Sequence, residues 1–507
     1  MAKSLTVRSL AVACSLIVTG CAVGPDFHSP AASVPTSAQF ARNEAGEAKP
    51  SDSLRLPVVD VRDKDFWTQF GDEQLTALVQ QALSGNRDLH AAFARLQAAD
   101  AVLNETQLDR FPTVTMNGEA AQQKLSHDQL SLGQPRSTRS YNAQIQASWE
   151  LDLYGRVRRT VEAQQAQQQM TQADLAALQV VIAAQVADTY TQLRGTQLRM
   201  QIALSHAQNQ RDTARLVERR LKAGMGTELD QSRAQAQLQD TLARLPALQA
   251  QIAVLQHRLS VLVGEPPESL ISHLDAIHPL PQLPPMLDPG TPAELLRRRP
   301  DIAAAEAQLH AATARIGIAT ADLFPRLSLG GLLGSFALSG HELFSANSAT
   351  QDVFLGVDWS FLDIGRVRAR IAASEAGAAE ALAHYQQTVL DALEETENAL
   401  VRVNRNKDEL DILQAAVQQR NKTEHLAQRM YQGGTLGLFE VLDAQREQLT
   451  AQDLAAESQI NAVRASIALY KAMSGGWDQA TNVPGEESDS EPIEKERTAK
   501  AVPSYAS

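Results

Sequence analysis

Cys21 is the one residue whose type and surroundings point to covalent chemistry. It follows Val18-Thr19-Gly20, and the order Val-Thr-Gly-Cys matches a bacterial lipoprotein signal. In such a signal the thiol takes up a lipid, and cleavage after Gly20 leaves Cys21 as the acylated N-terminus. Lys3 and Arg8 form a positive n-region, and Ser9 to Val18 is apolar but too short to span a bilayer as a helix. Ala22, not an aspartate, comes next; among bacterial lipoproteins this implies sorting to the outer membrane. The plainer alternative is an ordinary secretory signal with an incidental cysteine. Cys14 lies in the removed segment, so a lipidated mature chain keeps no free thiol and no disulfide framework.

No other constellation suits catalysis. The 11 histidines are scattered, with no His-Glu-x-x-His pair, no Cys/His cluster at metal spacing and no P-loop. The chain therefore reads as neither an enzyme nor a cofactor protein, the lipid on Cys21 apart, and any energy must come from a partner. Removing the signal takes the formal charge from −13 to −15, which argues against nucleic-acid binding. Leu, Ala, Gln and Glu dominate and aromatics are only 5%, a balance suited to long helices packed side by side.

The elements that would position these residues occur twice. Asp88-Leu89, Ala91-Ala92, Leu96, Ala98-Ala99, Asp109, Phe111 and Pro112 return 213 positions later, as Asp301-Ile302 through Phe324-Pro325. Trp149 and Gly155-Arg156-Val157-Arg158 return 210 positions later, as Trp359 and Gly365-Arg366-Val367-Arg368. A duplication this long implies two copies of one large unit and not a solenoid. In each copy a helical pattern leads in, with Asn86 placed to cap the helix that runs to Arg110. The period then changes to two. From Tyr141 to Leu153 every odd residue is apolar or small and every even one polar, and Thr113 to Gln122 alternates more weakly. Leu327 to Leu333 and Val353 to Phe361 repeat this hairpin. Three of the four alternations, all but Leu327 to Leu333, reach the roughly 9–11 residues that cross a membrane as tilted β-structure, although two hairpins of a soluble sheet would read similarly.

Proline-free Gln/Ala/Leu stretches follow, from Arg156 to about Lys222 and from Arg366 to about Tyr431. Each predicts a helix of about 100 Å at ~1.5 Å rise per residue. Gly224-Met225-Gly226-Thr227 and Gly433-Gly434-Thr435 punctuate both copies, and a second helix returns from each turn. The expected divisions are a signal at 1–20, a lipidated extended segment at 21–71, helices at 72–111 and a β-hairpin at 112–153. A helical hairpin with an equatorial region and the start of the second copy takes 154–324. The second β-hairpin takes 325–363, the second helical hairpin 364–476, and a disordered acidic tail 477–507. Four membrane strands cannot close a barrel, because the smallest has eight. Several chains must therefore share one, with the helices projecting to one side as a conduit.

Several motifs then coincide in order: Phe66-Trp67 with Phe70-Gly71-Asp72, Trp149 through Gly155-Arg156, Arg298-Arg299-Pro300-Asp301-Ile302, Leu442-Asp443-Ala444-Gln445-Arg446 and Leu469-Tyr470-Lys471-Ala472. Through them the chain resembles the TolC family of outer-membrane efflux proteins, most closely its OprM/NodT-type lipoprotein branch, over nearly all of residues 15–480. The resemblance implies a mixed α and β membrane protein. Its homotrimer would form a twelve-stranded outer-membrane β-barrel, four strands per chain, continuous with a long periplasmic α-helical barrel. It also implies a periplasmic adaptor (membrane fusion) protein and an inner-membrane transporter as partners, and export of small molecules such as drugs or toxic compounds.

By the same resemblance, Phe439 and Asp443 match the apolar and acidic residues that close the periplasmic end, and Arg446 matches the related arginine, expected to pair with a neighbouring chain. Phenylalanine is bulkier than the usual leucine there. The bland alternative is a Phe439 packed between helices and a solvated Asp443. The tip residues Gly224, Gly226, Thr227, Gly433, Gly434 and Thr435 are the expected adaptor contacts, though glycines also simply reverse a chain. Arg156, Arg158, Arg159, Arg366, Arg368 and Arg370 read as anchors near lipid headgroups. A type I protein-secretion channel and, less well, a non-pore periplasmic coiled-coil lipoprotein remain as rivals.

Overall fold

The computed structural model describes residues 22–30, 39–41, 59–60, 66–131, 135–284, 287–288 and 290–473. The signal peptide, Cys21 and the acidic tail lie outside these. Two helices, α1 (Glu73–Gly85) and α2 (Arg87–Leu108), lead into strands β1 (Thr113–Lys124) and β2 (Ser137–Leu151). The long α3 (Arg156–Lys222) is followed by α4 (Glu228–Leu242) and α5 (Leu245–Leu262). The second copy comprises α6 (Pro292–Arg298), α7 (Pro300–Ala321), β3 (Arg326–Ala337), β4 (Ala349–Asp358), α8 (Ile364–Gln432) and α9 (Leu438–Ala472).

Local chemistry accounts for the helix starts. Asp72 caps α1 by accepting from Leu75 N at 3.0 Å. Asn86 Oδ1 accepts from Asp88 N and Leu89 N at 2.9 and 3.2 Å, while its Nδ2 donates to Leu262 O at 2.8 Å, so one buried cap fixes α2 and ties it to α5. The two copies keep their repeat in space. Trp149 Nε1 donates to Arg110 O and Trp359 Nε1 to Leu323 O, both at 3.0 Å, so each indole closes the helix end that precedes its hairpin. The expected strand through Phe361 stops at Asp358 instead. Asp358 pairs with Arg326, the first residue of β3, and Phe361–Asp363 turns as a 3-10 helix into α8.

The long helices span 67 and 69 residues, yet the returning arms are about half that length. In the second copy the return is the single 35-residue α9. In the first copy it divides at Ala243 and Arg244, where Pro246 occupies the first turn of α5 and cannot donate to a continuing helix. The other half of α3 packs on α2 and α7, and α7 also packs on α8. The buried alanines Ala304, Ala305, Ala307, Ala311, Ala312 and Ala314 let α7 sit close between these neighbours.

The largest apolar core lies at mid-height. Phe66 stacks on Tyr470 at 4.2 Å between ring centroids, with Trp67 and Phe70 at its edges. The Tyr190 hydroxyl meets Asp72 Oδ2 at 2.8 Å, and Tyr190 and Leu193 complete the cluster. Arg299, 7% exposed, donates to Asp301 (3.0 and 2.7 Å), Glu395 (2.8 Å) and Ala472 O (2.6 Å). The motifs at residues 66–72, 298–302 and 469–472 thus converge on one clamp joining N-terminal segment, α7, α8 and α9. Phe66→Ala should cost about 3–5 kcal/mol of stability by removing a fully buried aromatic side chain. A thermal midpoint equal to that of the parent would show that this clamp is not the core.

Candidate functional site

Two regions carry the features that bear on function: the helical tips and the sheet. At the first tip, Gly224 takes a φ of +73°. Gly224 N donates to Leu221 O and Met225 N to Arg220 O, at 2.9 and 2.8 Å. The second tip repeats the pattern: Gly434 has φ +76°, with Gly434 N to Tyr431 O and Thr435 N to Met430 O at 3.1 and 2.9 Å. Both are Schellman stops, which need a left-handed residue at that position. Gly226 and Gly433 have ordinary φ. Thr227 caps α4 by accepting from Asp230 N at 3.1 Å, and the Thr435 hydroxyl donates back to Met430 O at 3.0 Å. The turn leaves Met225 73% exposed at the end of the molecule.

The first turns of α9 separate into two faces. Leu438, Val441, Leu442 and Ala444 are buried with Val217, Ala427 and Tyr431. Phe439, Asp443 and Arg446 occupy i, i+4 and i+7 on the opposite face. Phe439 is 59% exposed, so within one chain it does not fill a gap between helices. Within one chain the Arg446 guanidinium is bonded to Asp443 of its own helix, three residues away. The basic group therefore offsets the carboxylate where it stands.

Polar links that the sequence did not reveal hold α9 to both long helices. Toward α3 they are Arg464–Asp188 (2.5 Å), Arg199–Asp453 (2.6 and 2.9 Å), His206–Gln452 (2.8 Å) and Gln445–Thr213 (3.0 Å). Toward α8, Asn421 accepts from Gln448 and Gln452 at 3.0 and 2.9 Å, and Arg420 faces Glu447 at 3.3 Å. At the tip, Arg220 lies over the Tyr431 ring at 4.3 Å and donates to the Tyr431 carbonyl at 3.2 Å. These partners lie more than 200 positions apart in α3 pairs, and none stands out from a Gln- and Arg-rich helix.

The four strands form one antiparallel sheet in the order β1-β2-β3-β4. Its register places Met116, Ile145 and Leu333 in one row, with Leu329, Leu355 and Trp149 in another on the same face. That face is bare: Met116 is 78%, Leu333 66% and Val353 80% exposed. Glu119, Gln144, Gln146, Ser148 and Asp352 alternate onto the other face, where Phe354 covers Gly330. β1 and β4 have free edges.

Cys21 lies outside the described residues, but its successor is fixed. Ala22 packs against Gly155, at the junction of β2 and α3, and Val23 N donates to Tyr154 O at 3.1 Å. Arg159 holds this strap and is a correction to the headgroup-anchor reading. It is 4% exposed, donates to Val23 O (3.3 Å), Asp26 (2.6 Å) and Glu162 (2.8 Å), and is too enclosed to reach lipid. Phe27 then stacks on His310 at 4.3 Å, and His310 lies 2.9 Å from Glu162. Arg156, Arg158, Arg366 and Arg370 pair with Glu150, Asp152, Asp363 and Asp322 close to the strand ends. Arg368 is exposed.

A sheet with one bare apolar face, joined to two helices of nearly 70 residues, is the architecture of solved outer-membrane channels. The outer-membrane channel OprN matches with a TM-score of 0.80 and 41% identity, over 90% of this chain and all of that one. The profile of the family described as outer membrane efflux protein matches residues 78–265 and 291–475. The chain belongs to that family. Among its relatives, the pyoverdine export outer membrane protein OpmQ of Pseudomonas putida is 32% identical over 85% of this chain and 92% of its own length. The cation efflux system protein CusC of Escherichia coli is 28% identical over 91% of this chain and 98% of its own. The chain is the outer-membrane channel component of a tripartite efflux system, and its relatives are channels, not enzymes.

Two predictions follow from the tips and links. Gly224→Ala or Gly434→Ala should each destabilise the chain by about 1–2 kcal/mol, since alanine resists the left-handed conformation, whereas Gly433→Ala should not; thermal denaturation of the three variants checks this. The second concerns acid. Burial holds the His206 imidazole below its ordinary 6.5, opposed in part by the Gln452 hydrogen bond and Glu424. The unfolded chain therefore binds the proton first as pH falls, and stability present above 6.5 is lost below it. Glu162 and Glu395, pushed up by burial but brought net below 4.5 by their Arg159 and Arg299 hydrogen bonds, lose their contribution only at lower pH. Denaturation midpoints should thus begin to fall below pH 6.5, and His206→Gln should remove that first decline. An identical profile in the variant would assign the decline to other groups.

Proposed function

We propose that three chains assemble into one channel that conducts small molecules passively from a periplasmic adaptor and an inner-membrane transporter to the exterior. The observation that carries this reading is the sheet of four strands with an exposed apolar face and two free edges. In hydrocarbon, unpaired edge groups cost several kcal/mol each, ~ten times the thermal energy or less per group but repeated along both strands. Three copies would pair β1 of one chain with β4 of the next and close a twelve-stranded barrel. The polar face carrying Gln144 and Gln146 then lines the lumen, and Ile145 faces lipid.

Cys21 carries the lipid in this reading. The strap from Ala22 to Phe27 supports it, because it brings the chain end to the strand–helix junction beside Trp149, at the level where headgroups meet the barrel. The lipid is covalent, and no other cofactor is called for. Mass spectrometry of the mature N-terminal peptide tests it; an unmodified N-terminus elsewhere would reject it.

The gate is assigned to Phe439 and Asp443, with Arg446 beside them. Their shared exposed face on α9 supports the assignment, for it leaves an aromatic and an acidic residue free to meet their copies near a threefold axis. Three phenyl rings would exclude water there, and the carboxylates would favour cations. Gly224, Gly226, Thr227, Gly433, Gly434 and Thr435 form the ends that meet the adaptor, with Met225 and Leu229 exposed beside them. The exported compounds are small molecules, drugs or toxic compounds among them, selected by the transporter. Phe439→Ala with Asp443→Ala should raise single-channel conductance in planar bilayers about several-fold and sensitise cells to large antibiotics, because both plug and charge ring are removed. Parental conductance from intact double-mutant trimers would place the constriction elsewhere.

A further inference from the structure

The outer end of the apolar face carries features that the passage of substrates does not use. Alternation puts Lys124 and Gln122 of β1, and Arg139 and Tyr141 of β2, on the same face as Met116 and Ile145. This end lies farthest along the strands from the helices. Both cations are exposed, and neither pairs with a carboxylate among the described residues. Arg136, in the neck of the same hairpin, donates to Leu125 O at 3.2 Å and keeps its charge at the same end, where Asp128 is the acid of the loop.

Below them the face is notched. A recess of about 360 Å³ opens between β1, β2, β3 and the β3–β4 loop, walled by Met116, Ala143, Ile145, Leu333, Phe344 and Ala349. Its outer wall is built at a cost. Phe344 is the only non-glycine residue with positive φ (+74°) among the described residues, an uncommon conformation for a bulky side chain. Its N–H donates to Ser335 Oγ at 3.0 Å, and Ser335 Oγ lies 2.8 Å from Ser348 Oγ, so a hydroxyl network holds the loop down on the sheet. Phe344 remains 76% exposed, and its ring bounds the recess without filling it. Tyr141, packed on Gly340 of that loop, stands between the cations and the notch. From Arg139 to Ala143 along β2 is about 13 Å at ~3.3 Å per residue. Because β2 and β3 are the central strands, a neighbouring chain joined at either edge would not cover the recess.

We propose that this column is a binding site for a phosphate-bearing lipid of the outer leaflet, with the phosphate on Lys124 and Arg139 and an acyl chain in the notch beside Phe344. The site rests on the barrel reading above, which turns this face to lipid and this end to the exterior. Charge complementarity selects the headgroup, since arginine and lysine pair with phosphate oxygens. The recess, walled mainly by apolar side chains, selects an attached chain over free phosphate.

The test uses the full-length trimer in mixed micelles and native mass measurement of retained lipid. Diphosphorylated lipid A should bind at one per chain, in preference to its dephosphorylated form. Lys124→Gln with Arg139→Gln should weaken this about 30-fold, from the attraction each cation supplies, while Glu119→Gln on the opposite face should not. Ala143→Trp, which fills the notch, should also lower retention, and excess inorganic phosphate should not displace the lipid. Equal retention by the double variant, equal binding of dephosphorylated lipid A, or displacement by inorganic phosphate overturns the site. Quenching of probes at Ile145 and Gln144 by brominated lipid separates the two readings. If Ile145 is not quenched, the barrel orientation fails and the site with it. If Ile145 alone is quenched but lipid A is not selected, only the site fails.

Discussion

Backbone polarity in an apolar medium is the constraint on which the rest of this architecture depends. Four strands offer a wide apolar face to lipid, but β1 and β4 end the sheet with N–H and C=O groups that water cannot reach inside a bilayer. One chain alone cannot satisfy them. The proposed barrel shared between chains would, and it would set the direction of everything attached to it. Each hairpin feeds a helix through Gly155 or Gly365, and each Trp149 or Trp359 indole closes the helix that arrives. The internal duplication supplies two such hairpins per chain, so the proposed trimer would reach twelve strands with six nearly equivalent connections.

The helices face a different demand. A helix of about 100 Å exposes far more surface than one partner can cover, and the chain meets this with half-length arms on either side of the mid-height core. The clamp of Phe66, Trp67, Tyr470 and Arg299 fastens that core. Below it, α9 adds polar contacts to its apolar seam: Arg464 pairs with Asp188 and Asp453 with Arg199 of α3, Gln448 and Gln452 donate to Asn421 of α8, and His206 meets Gln452. Hydrogen bonds and partly exposed ion pairs exchange at lower cost than a packed apolar seam.

Much of this was legible in the chain. Alternation located all four strands, and the absence of proline located both long helices, because each signal depends on local sequence alone. The strand that was expected to reach Phe361 ends at Asp358, where the chain must turn into α8, and alternation carries no information about that turn. The return arm of the first copy divides at Pro246 although the repeat implied one helix. Arg159 resembled its neighbours Arg156 and Arg158 in sequence, yet its partners Val23 and Asp26 are more than 130 positions away. The links of α9 were hidden for the same reason. For the proposed gate, the family motif pointed to Phe439, Asp443 and Arg446, and geometry added that they share one face of α9 and that Arg446 pairs with Asp443 within its own helix.

Disulfide trapping across the sheet edges tests the central claim most directly. Cys21, lipidated in the proposed reading, would offer no thiol, so single cysteines scanned from Thr113 to Glu119 on β1 can be combined with one at Asp352 on β4 without a background. Oxidised in native membranes, at least one combination should yield covalent dimers and trimers under denaturing, non-reducing conditions, with neighbouring positions alternating between efficient and poor trapping. Monomers from every combination, in membranes where the protein still conducts, would contradict the shared barrel.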